Sequence, residues 1–520
     1  MTCLANRQPQ STALDPQRWG VSVRRMKRFA KHVAAMALTA LSLPAVAESS
    51  PAASAQTADF QALDADFAKW MAEAHVPGLV WGIVKDGKLV HVKAMGVQTI
   101  EDNVPVTPDT AFRIASMTKA FTGYSILKLR DEGKLRLDDP ASKYVPEMKG
   151  WAKNITVGDL LHHTAGFVTD DPWGDRQQPL PEAEFSKMLK AGVPFSTSPG
   201  TRYEYSNFGY ATLGRIVSNV SKQDYSKRVD ATVLKPLGMI STRYEVREVP
   251  TGKLAMGYRW ENDAWSREPV MPHGAFGAMG GLVTTGQDYA KWIGYLLSAW
   301  PAKDGEAQSA KTIRAMQYGG GMLHARRRPG KEGDNCRLSA IYGAGLVQAN
   351  DCVLGNVLFH GGGFPGYGSH MLLLPEAGVG VFALTNRTYA GPTAPVWDAA
   401  TALFKSGYIA PRAIASSPAL ETGYAAARRI WQSGGVEGEG QYLAMNFAMD
   451  RSATNWRQYL SEIAAKSGAC DASPPLIATG KLSGRFSWTC ANGVVEGNVL
   501  LAPTSTPQIQ ALGFQLTAKP

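Results

Sequence analysis

Strand-like segments stand on either side of a long helical stretch, and this arrangement most narrows what the chain can fold into. LVWGIVKDGKLVHVKAMG (79–96) reads as two strands around a Lys85-Asp86-Gly87 turn. From about 116 to 300 the pattern is mostly helical, broken by loops rich in Pro and Gly such as DDPWGDRQQPLP (170–181). Strands return near 340, where AIYGAGLVQA, NVLFHGG, SHMLLLP and GVGVFALTN alternate or run apolar between turns. A helix through FKSGY closes the region near 408. The economical solution is an α+β domain over 58–408, with one sheet built from both ends and an all-helical domain inserted.

Past PRAIASSPAL (411–420) the texture changes. Residues 421–467 look helical. KLSGRFSW, VVEGNVLLAP and IQALGFQL then read as a small antiparallel sheet, with Asn492-Gly493 as a hairpin turn. A separate small α+β C-terminal domain over 415–520 is expected, with nothing catalytic in it. It would contact the preceding domain or bind a polymer or partner.

The start of the chain carries an address. Arg24, Arg25, Lys27 and Arg28 precede an apolar run from Val33 to Leu43, and Ala45-Val46-Ala47 offers a small-residue cleavage site. Residues 1–47 therefore read as a secretory signal peptide, with Met26 as a candidate initiator. Residues 48–57 form a small-residue linker. The first 47 residues hold seven lysines and arginines against one aspartate, so without them the net charge falls from +10 to about +4. That bias is weak. The basic run HARRRPGKEG (324–333) lacks aromatic partners and reads as a solvated loop, not a nucleic-acid site. No internal stretch has the length of a membrane span. The signal peptide leads to the expectation of a periplasmic or secreted protein. Four cysteines remain after the signal: Cys336, Cys352, Cys470 and Cys490. An even number in an exported chain suggests disulfides. Sequence leaves the connectivity open; the simplest local pairs are Cys336–Cys352 and Cys470–Cys490. A zinc site has no Cys-x-x-Cys spacing to support it.

The chemistry centres on RIASMTKAF (113–121). Ser116 opens a helix and Lys119 follows one turn later on the same face. Ser-x-x-Lys alone is weak, since about one or two chance hits are expected in a chain this long. A second instance, Ser125 to Lys128, lies deeper in the same helix, where the hydroxyl would bond back to the preceding turn. Ser116 differs by standing where backbone N–H groups are free to face an oxyanion. A lysine held in a dry site loses basicity and can take the serine proton. In YEYSNFGY (203–210), Tyr205 and Asn207 put a phenol and a carboxamide two apart before a new helix. The phenol, beside a lysinium, would ionise more easily and relay protons, and the carboxamide would bind a substrate amide. In LFHGGGFPGYGSHM (358–371), His360 ends a strand-like run and Gly361, Gly362 and Gly363 let a substrate chain lie close to the backbone. Each piece alone has an ordinary structural explanation: a capping serine, a packing tyrosine, a core histidine, a glycine turn. The ordered conjunction is much harder to obtain by accident.

Ser-x-x-Lys, Tyr-x-Asn and His-x-Gly in that order resemble the serine beta-lactamase and D-Ala-D-Ala carboxypeptidase superfamily, and most closely its class C-like branch, which also holds D-aminopeptidases and beta-lactamase-like esterases. ITVGDLLHHTAGF (155–167), VLKPLGM (233–239) and GAMGGLVTTGQDYAKW (277–292) support the resemblance over roughly 58–408. It implies an antiparallel sheet flanked by helices with an inserted helical domain and the site between them. It makes Ser116 the acylated nucleophile, Lys119 its activator and Tyr205 the proton shuttle. Asn207 would hold a substrate amide, and His360 would support Tyr205 or attract a carboxylate. The backbone N–H groups of Ser116 and Gly363 would form the oxyanion hole. His162 and His163 are expected to be structural or supporting. No metal and no cofactor is implied.

One departure matters: class C enzymes usually carry Lys-Thr-Gly where this chain has His360-Gly361-Gly362, and a histidine is only partly charged near neutral pH. This points away from efficient lactam hydrolysis. It favours an amide-cleaving D,D-carboxypeptidase or D-amino-acid peptidase with small or peptide substrates, including peptidoglycan-derived ones. A beta-lactamase-like carboxylesterase and a penicillin-binding sensor with little turnover are the alternatives.

Overall fold

The computed structural model describes residues 59–331, 336–412 and 414–517. The expected signal peptide and its linker lie outside the described residues. Helix α1 (Phe60–Glu73) opens the described chain, capped by the Asp59 carboxylate, which accepts the Ala62 N–H at 3.0 Å.

Three strands follow early: β1 (Gly78–Lys85), β2 (Lys88–Thr99) and β3 (Val104–Pro105). Six return late: β4 (Gly321–Arg327), β5 (Arg337–Tyr342), β6 (Val347–Asp351), β7 (Gly355–Phe364), β8 (Tyr367–Leu374) and β9 (Val379–Thr385). They form one nine-stranded antiparallel sheet in the order β3-β2-β1-β9-β8-β7-β6-β5-β4. The two chain regions meet at β1 and β9, in register from Leu79 opposite Thr385 to Lys85 opposite Val379. β1 turns into β2 through Asp86 and Gly87 at φ 51° and 77°, the pair of positive angles that a two-residue turn matching strand twist demands.

Both faces of the central strands are covered, which explains why β1 and β9 read as continuous apolar runs instead of alternating ones. On one face, helix α4 (Gly286–Leu297) packs Tyr289 against Phe382, and Gly286 lies so close to Val80 that a side chain there would clash. On the other, Phe67 of α1 stacks on Trp81 at 4.3 Å, and Trp397 of helix α5 (Thr393–Lys405) meets Phe359 edge-on. Helices between β3 and α4 make the insert. Its two long members are α2 (Lys119–Asp131) and α3 (Asn207–Ser221).

The basic run departs from expectation. Its first residues are not a loop: β4 extends to Arg327 as the edge strand, where charged side chains discourage pairing with another sheet. Arg328, fully buried, then donates to Asp351 at 2.6 Å and to Thr401 at 2.6 Å, tying this edge to α5.

A second hydrophobic core lies wholly after residue 419, around Tyr424, Trp456, Phe486, Trp488 and Phe514. Helices α6 (Pro418–Ser433) and α7 (Ala453–Ser467) cover a four-stranded antiparallel sheet of β10 (Ile477–Ala478), β11 (Ser483–Cys490), β12 (Gly493–Leu501) and β13 (Ile509–Thr517). The hairpin falls one residue earlier than Asn492-Gly493: Cys490 already pairs with Gly493, leaving Ala491 and Asn492 in the turn. That turn is held by α7 and the residues just after it, since Ala491 and Asn492 donate to the carbonyls of Ala469 and Ser467 at 2.9 Å each. Cys336 is bonded to Cys352 and Cys470 to Cys490. Two disulfides are consistent with export, and no described helix is long and apolar enough to cross a membrane.

Candidate active site

Ser116 sits in a single 3-10 turn, Ala115–Thr118, that feeds directly into α2. The residue before it, Ala115, is in the left-handed region at φ 48°, a conformation that costs energy for any residue with a Cβ. This elbow is gripped from the sheet: the Ser369 hydroxyl of β8 donates to the Ile114 carbonyl at 2.8 Å. Gly362 of β7 backs onto the same spot, where an added Cβ would stand 2.4 Å from the Ile114 carbonyl oxygen and 2.2 Å from Ser369 Oγ. One of the three expected substrate-side glycines thus serves the turn that carries Ser116.

One helical turn onward, Lys119 is wholly buried. Its Nζ donates to Ser116 Oγ at 3.0 Å, to Asn207 Oδ1 at 2.7 Å and to the Met279 carbonyl at 2.9 Å. Burial pulls its pKa down to about 8, against the opposing pull of Asp171, Asp175 and Asp170. The competing motif behaves as an ordinary helix serine: Ser125 Oγ bonds back to the Phe121 carbonyl at 2.7 Å.

Tyr205 lines the same cavity as Ser116, and Lys119 Nζ stands 4.8 Å from its ring centroid. The lysine does not draw this phenol towards ionisation. Burial, followed by the Asp171 carboxylate, raises its pKa well above the ordinary value, so Tyr205 is a neutral donor and acceptor. His163 supports it from below, with ring centroids 4.3 Å apart, while its Nδ1 accepts the Ser206 N–H at 3.0 Å. Burial first, then Lys119, keeps His163 neutral. His162 contacts the Gly343 carbonyl.

Asn207 opens α3 and is fully buried. Asp170 accepts the backbone N–H groups of Asn207 and Phe208 at 2.6 and 2.9 Å, and so fixes the helix start. The Asn207 side chain is engaged at both ends: its oxygen by Lys119, its nitrogen by Asp171 Oδ1 at 3.0 Å, with Asp175 Oδ1 at 3.5 Å. Gly174 permits this closeness, since a Cβ there would stand 2.8 Å from the Asn207 Cβ. The residue expected to hold a substrate amide is thus sealed behind a short acidic helix, Asp171–Arg176.

His360 also differs from expectation. It is buried and pairs with Tyr342, not Tyr205: Nε2 lies 2.8 Å from the Tyr342 hydroxyl and Nδ1 2.6 Å from the Gly361 carbonyl. A carbonyl can only accept, so Nδ1 carries the proton and Nε2 accepts from the phenol. Burial and then Lys119 depress its pKa to about 3, so no cation stands here near neutral pH.

The strand carrying His360 changes character at that residue. β6 pairs with β7 only as far as Phe359, opposite Val347, so among the described residues His360–Phe364 has β8 on one side and no strand on the other. That free edge borders a cavity of about 690 Å³ lined by Ser116, Tyr205, His360, Gly361 and Gly363. Asp171, Asp175, Tyr203, Tyr342, Tyr389 and Arg326 complete its polar wall, and none of these was singled out from the sequence. DDPWGD reads as a loop, and only the spacing of its carboxylates sets it apart. Tyr389 sits at φ 55°, packs on Gly363 and donates to Asp175 at 3.1 Å.

An antiparallel sheet with a helical insert, and a serine and buried lysine where the two meet, define a serine beta-lactamase-like protein. The chain belongs to the Beta-lactamase family, whose family model matches residues 63–405. It is similar to Protein flp of Staphylococcus aureus (strain NCTC 8325 / PS 47), 30% identical over 61% of this chain and 61% of that protein. It also resembles the uncharacterized protein MT1414 of Mycobacterium tuberculosis, 31% identical over 46% of this chain and 67% of that protein. The match thus spans about three fifths of the flp relatives' length. Among solved structures, the octameric penicillin-binding protein homologue from Pyrococcus abyssi shares the fold, with a TM-score of 0.58 and 22% identity over 86% of this chain and 97% of that one.

Proposed function

We propose that this protein is an exported serine hydrolase that cleaves an amide bond through an acyl-enzyme, as a D,D-carboxypeptidase, D-amino-acid peptidase or related amidohydrolase. The observation that carries the reading is the buried Lys119 Nζ at 3.0 Å from Ser116 Oγ, with a pKa of about 8. Near neutral pH a useful fraction of this lysine is unprotonated and can take the serine proton as Oγ attacks the carbonyl. The tetrahedral oxyanion would rest on the backbone N–H groups of Ser116 and Gly363. Tyr205, held neutral, gives its proton to the departing amine and is reprotonated from Lys119. Water then attacks the ester on Ser116, with Tyr205 and Lys119 returning the proton by the reverse route. An extended substrate would lie along the free edge of β7.

The test is mass spectrometry after brief exposure to a fluorescent penicillin, followed over time. A persistent adduct on the Ser116 peptide supports a penicillin-recognising peptidase, and a transient adduct with ring-opened product supports lactam hydrolysis. Retained activity in Ser116→Ala would overturn the site.

One observation favours a second reading, a carboxylesterase. Asn207 is fully buried, with its amide oxygen on Lys119 and its nitrogen on Asp171, and does not line the cavity where a substrate amide would lie. Turnover of short-chain nitrophenyl esters with no cleavage of D-amino-acid amides would decide for it.

A further inference from the structure

Helices α6 and α7 pack on one face of the C-terminal sheet, and the other face carries a hollow of about 450 Å³, within the range of small-molecule sites. Successive rungs of the antiparallel ladder form it. Arg485, Asn498 and Gly513 stand opposite one another across β11, β12 and β13, with Ile477 of β10 beyond Arg485. Ser487, Glu496 and Gln515 make the next rung. Gly513 leaves the hollow open, since a Cβ there would stand 2.6 Å from Asn498 Oδ1. Tyr459 of α7 closes the β13 edge, where its hydroxyl accepts the Phe514 N–H at 3.0 Å and donates to the Phe514 carbonyl.

This is not an ordinary solvated face. Across β11, β12 and β13, Arg485 and Glu496 are the only charged residues. Yet β13 is an edge strand, where charge usually discourages pairing with another sheet. Arg485 and Glu496 are diagonal neighbours of opposite sign, an arrangement that favours pairing, but no ion pair joins them. The side chains of Ser487, Asn498 and Gln515 likewise bond to no other protein group among the described residues. Open donors and acceptors thus converge on one hollow while its two charges offset, which suits a ligand that is polar and uncharged.

We propose that the hollow binds an uncharged polyhydroxyl chain, a glycan segment. A hydroxyl both donates and accepts. A run of them can therefore meet the Arg485 donors, the Glu496 acceptors and the two-sided amides of Asn498 and Gln515 together. Ile477 and Tyr459 border the hollow at opposite edges and would pack on the C–H faces of the sugar rings. The site does not depend on the hydrolase reading above; it would hold the chain on a polysaccharide whatever Ser116 cleaves.

The experiment sediments the full chain with insoluble chitin and cellulose, and titrates it with chitotriose and cellotriose by calorimetry. The two sugars separate a need for acetamido groups from hydroxyls alone, and polymer against trimer separates a polysaccharide surface from a free saccharide. At least one of these probes should bind, and binding should persist in about 0.5 M salt because no charge pairing drives it. Exposed hydrogen bonds that replace water should give a trimer Kd on the order of 1 mM. Asn498→Ala and Gly513→Val should each weaken binding about tenfold. Thr489→Ala, on the same face outside the hollow, should leave it unchanged, and all three variants should melt as the unaltered protein does. No binding of any probe, binding abolished by salt, or unchanged binding in either hollow variant overturns the glycan site. So does a dimer in sedimentation velocity that Asn498→Arg dissociates, because a second copy would then cover this face.

Discussion

Asn207 bridges Lys119 and Asp171. Its side-chain oxygen accepts from the ammonium at 2.7 Å, and its nitrogen donates to the carboxylate at 3.0 Å. The amide transmits no net charge of its own, so it separates the lysine from an anion that would otherwise pin it in the protonated form. Asn207→Asp removes that insulation and sets a carboxylate against Nζ. The pH of half-maximal kcat/KM should then move up by about one to two units, because a nearby anion stabilises the ammonium. A pH–rate profile on an uncharged ester checks this, and an unshifted profile would remove Lys119 from the role of base.

The unaltered protein should show its own signature in the same profile. Burial lowers Lys119 from the ordinary lysine range to about 8, so the active, unprotonated form is lost as pH falls below 8. Ester turnover should therefore rise about tenfold per pH unit below that point and level off above it. His360, held at about 3, should add no inflection between pH 5 and 7.

Gly362 offers a steric test. A methyl group there meets the Ile114 carbonyl and Ser369 Oγ at distances no real contact allows. Gly362→Ala should displace the Ser116 elbow, lower kcat by more than tenfold, and cost about 1–3 kcal/mol in urea unfolding. Alanine at Gly87, where nothing lies within 4 Å of an added Cβ, should spare catalysis and pay only the smaller strain of its positive φ.

The C-terminal region has its own core and its own cross-link. Replacing Cys470 and Cys490 together by serine should lower its stability by about 2–4 kcal/mol. Ester turnover at Ser116 should stay within twofold, which calorimetry and a rate assay on one sample can establish together.

The sheet and the helical insert were legible because their signals are local. Apolar runs bounded by turns mark buried strands, and Asp86-Gly87 can only be a tight turn. Ser116, Lys119 and Tyr205 were legible through spacing, since one helical turn puts the first two side by side. The ionisation states were not, because they depend on burial by segments far away in sequence. His360 looks like a partial cation until Tyr342 and Lys119 are placed around it. Asp171 and Asp175 escaped notice because a loop rich in Asp and Pro is the commonest kind of surface turn. Only the fold brings that loop over Asn207.

The pairing of β1 with β9 has a consequence for when this protein can act. Residue 79 waits for residue 385 before the middle of the sheet exists. A nascent chain that has made Ser116 and Lys119 still lacks the strand against which an acyl group would lie, since β7 begins only at Gly355. Such distant closures are slow and come late. The proposed chemistry at the serine would thereby be withheld until almost the whole sheet had been synthesised, and a chain threaded unfolded through a membrane pore would arrive on the far side inert, gaining its reactivity only there.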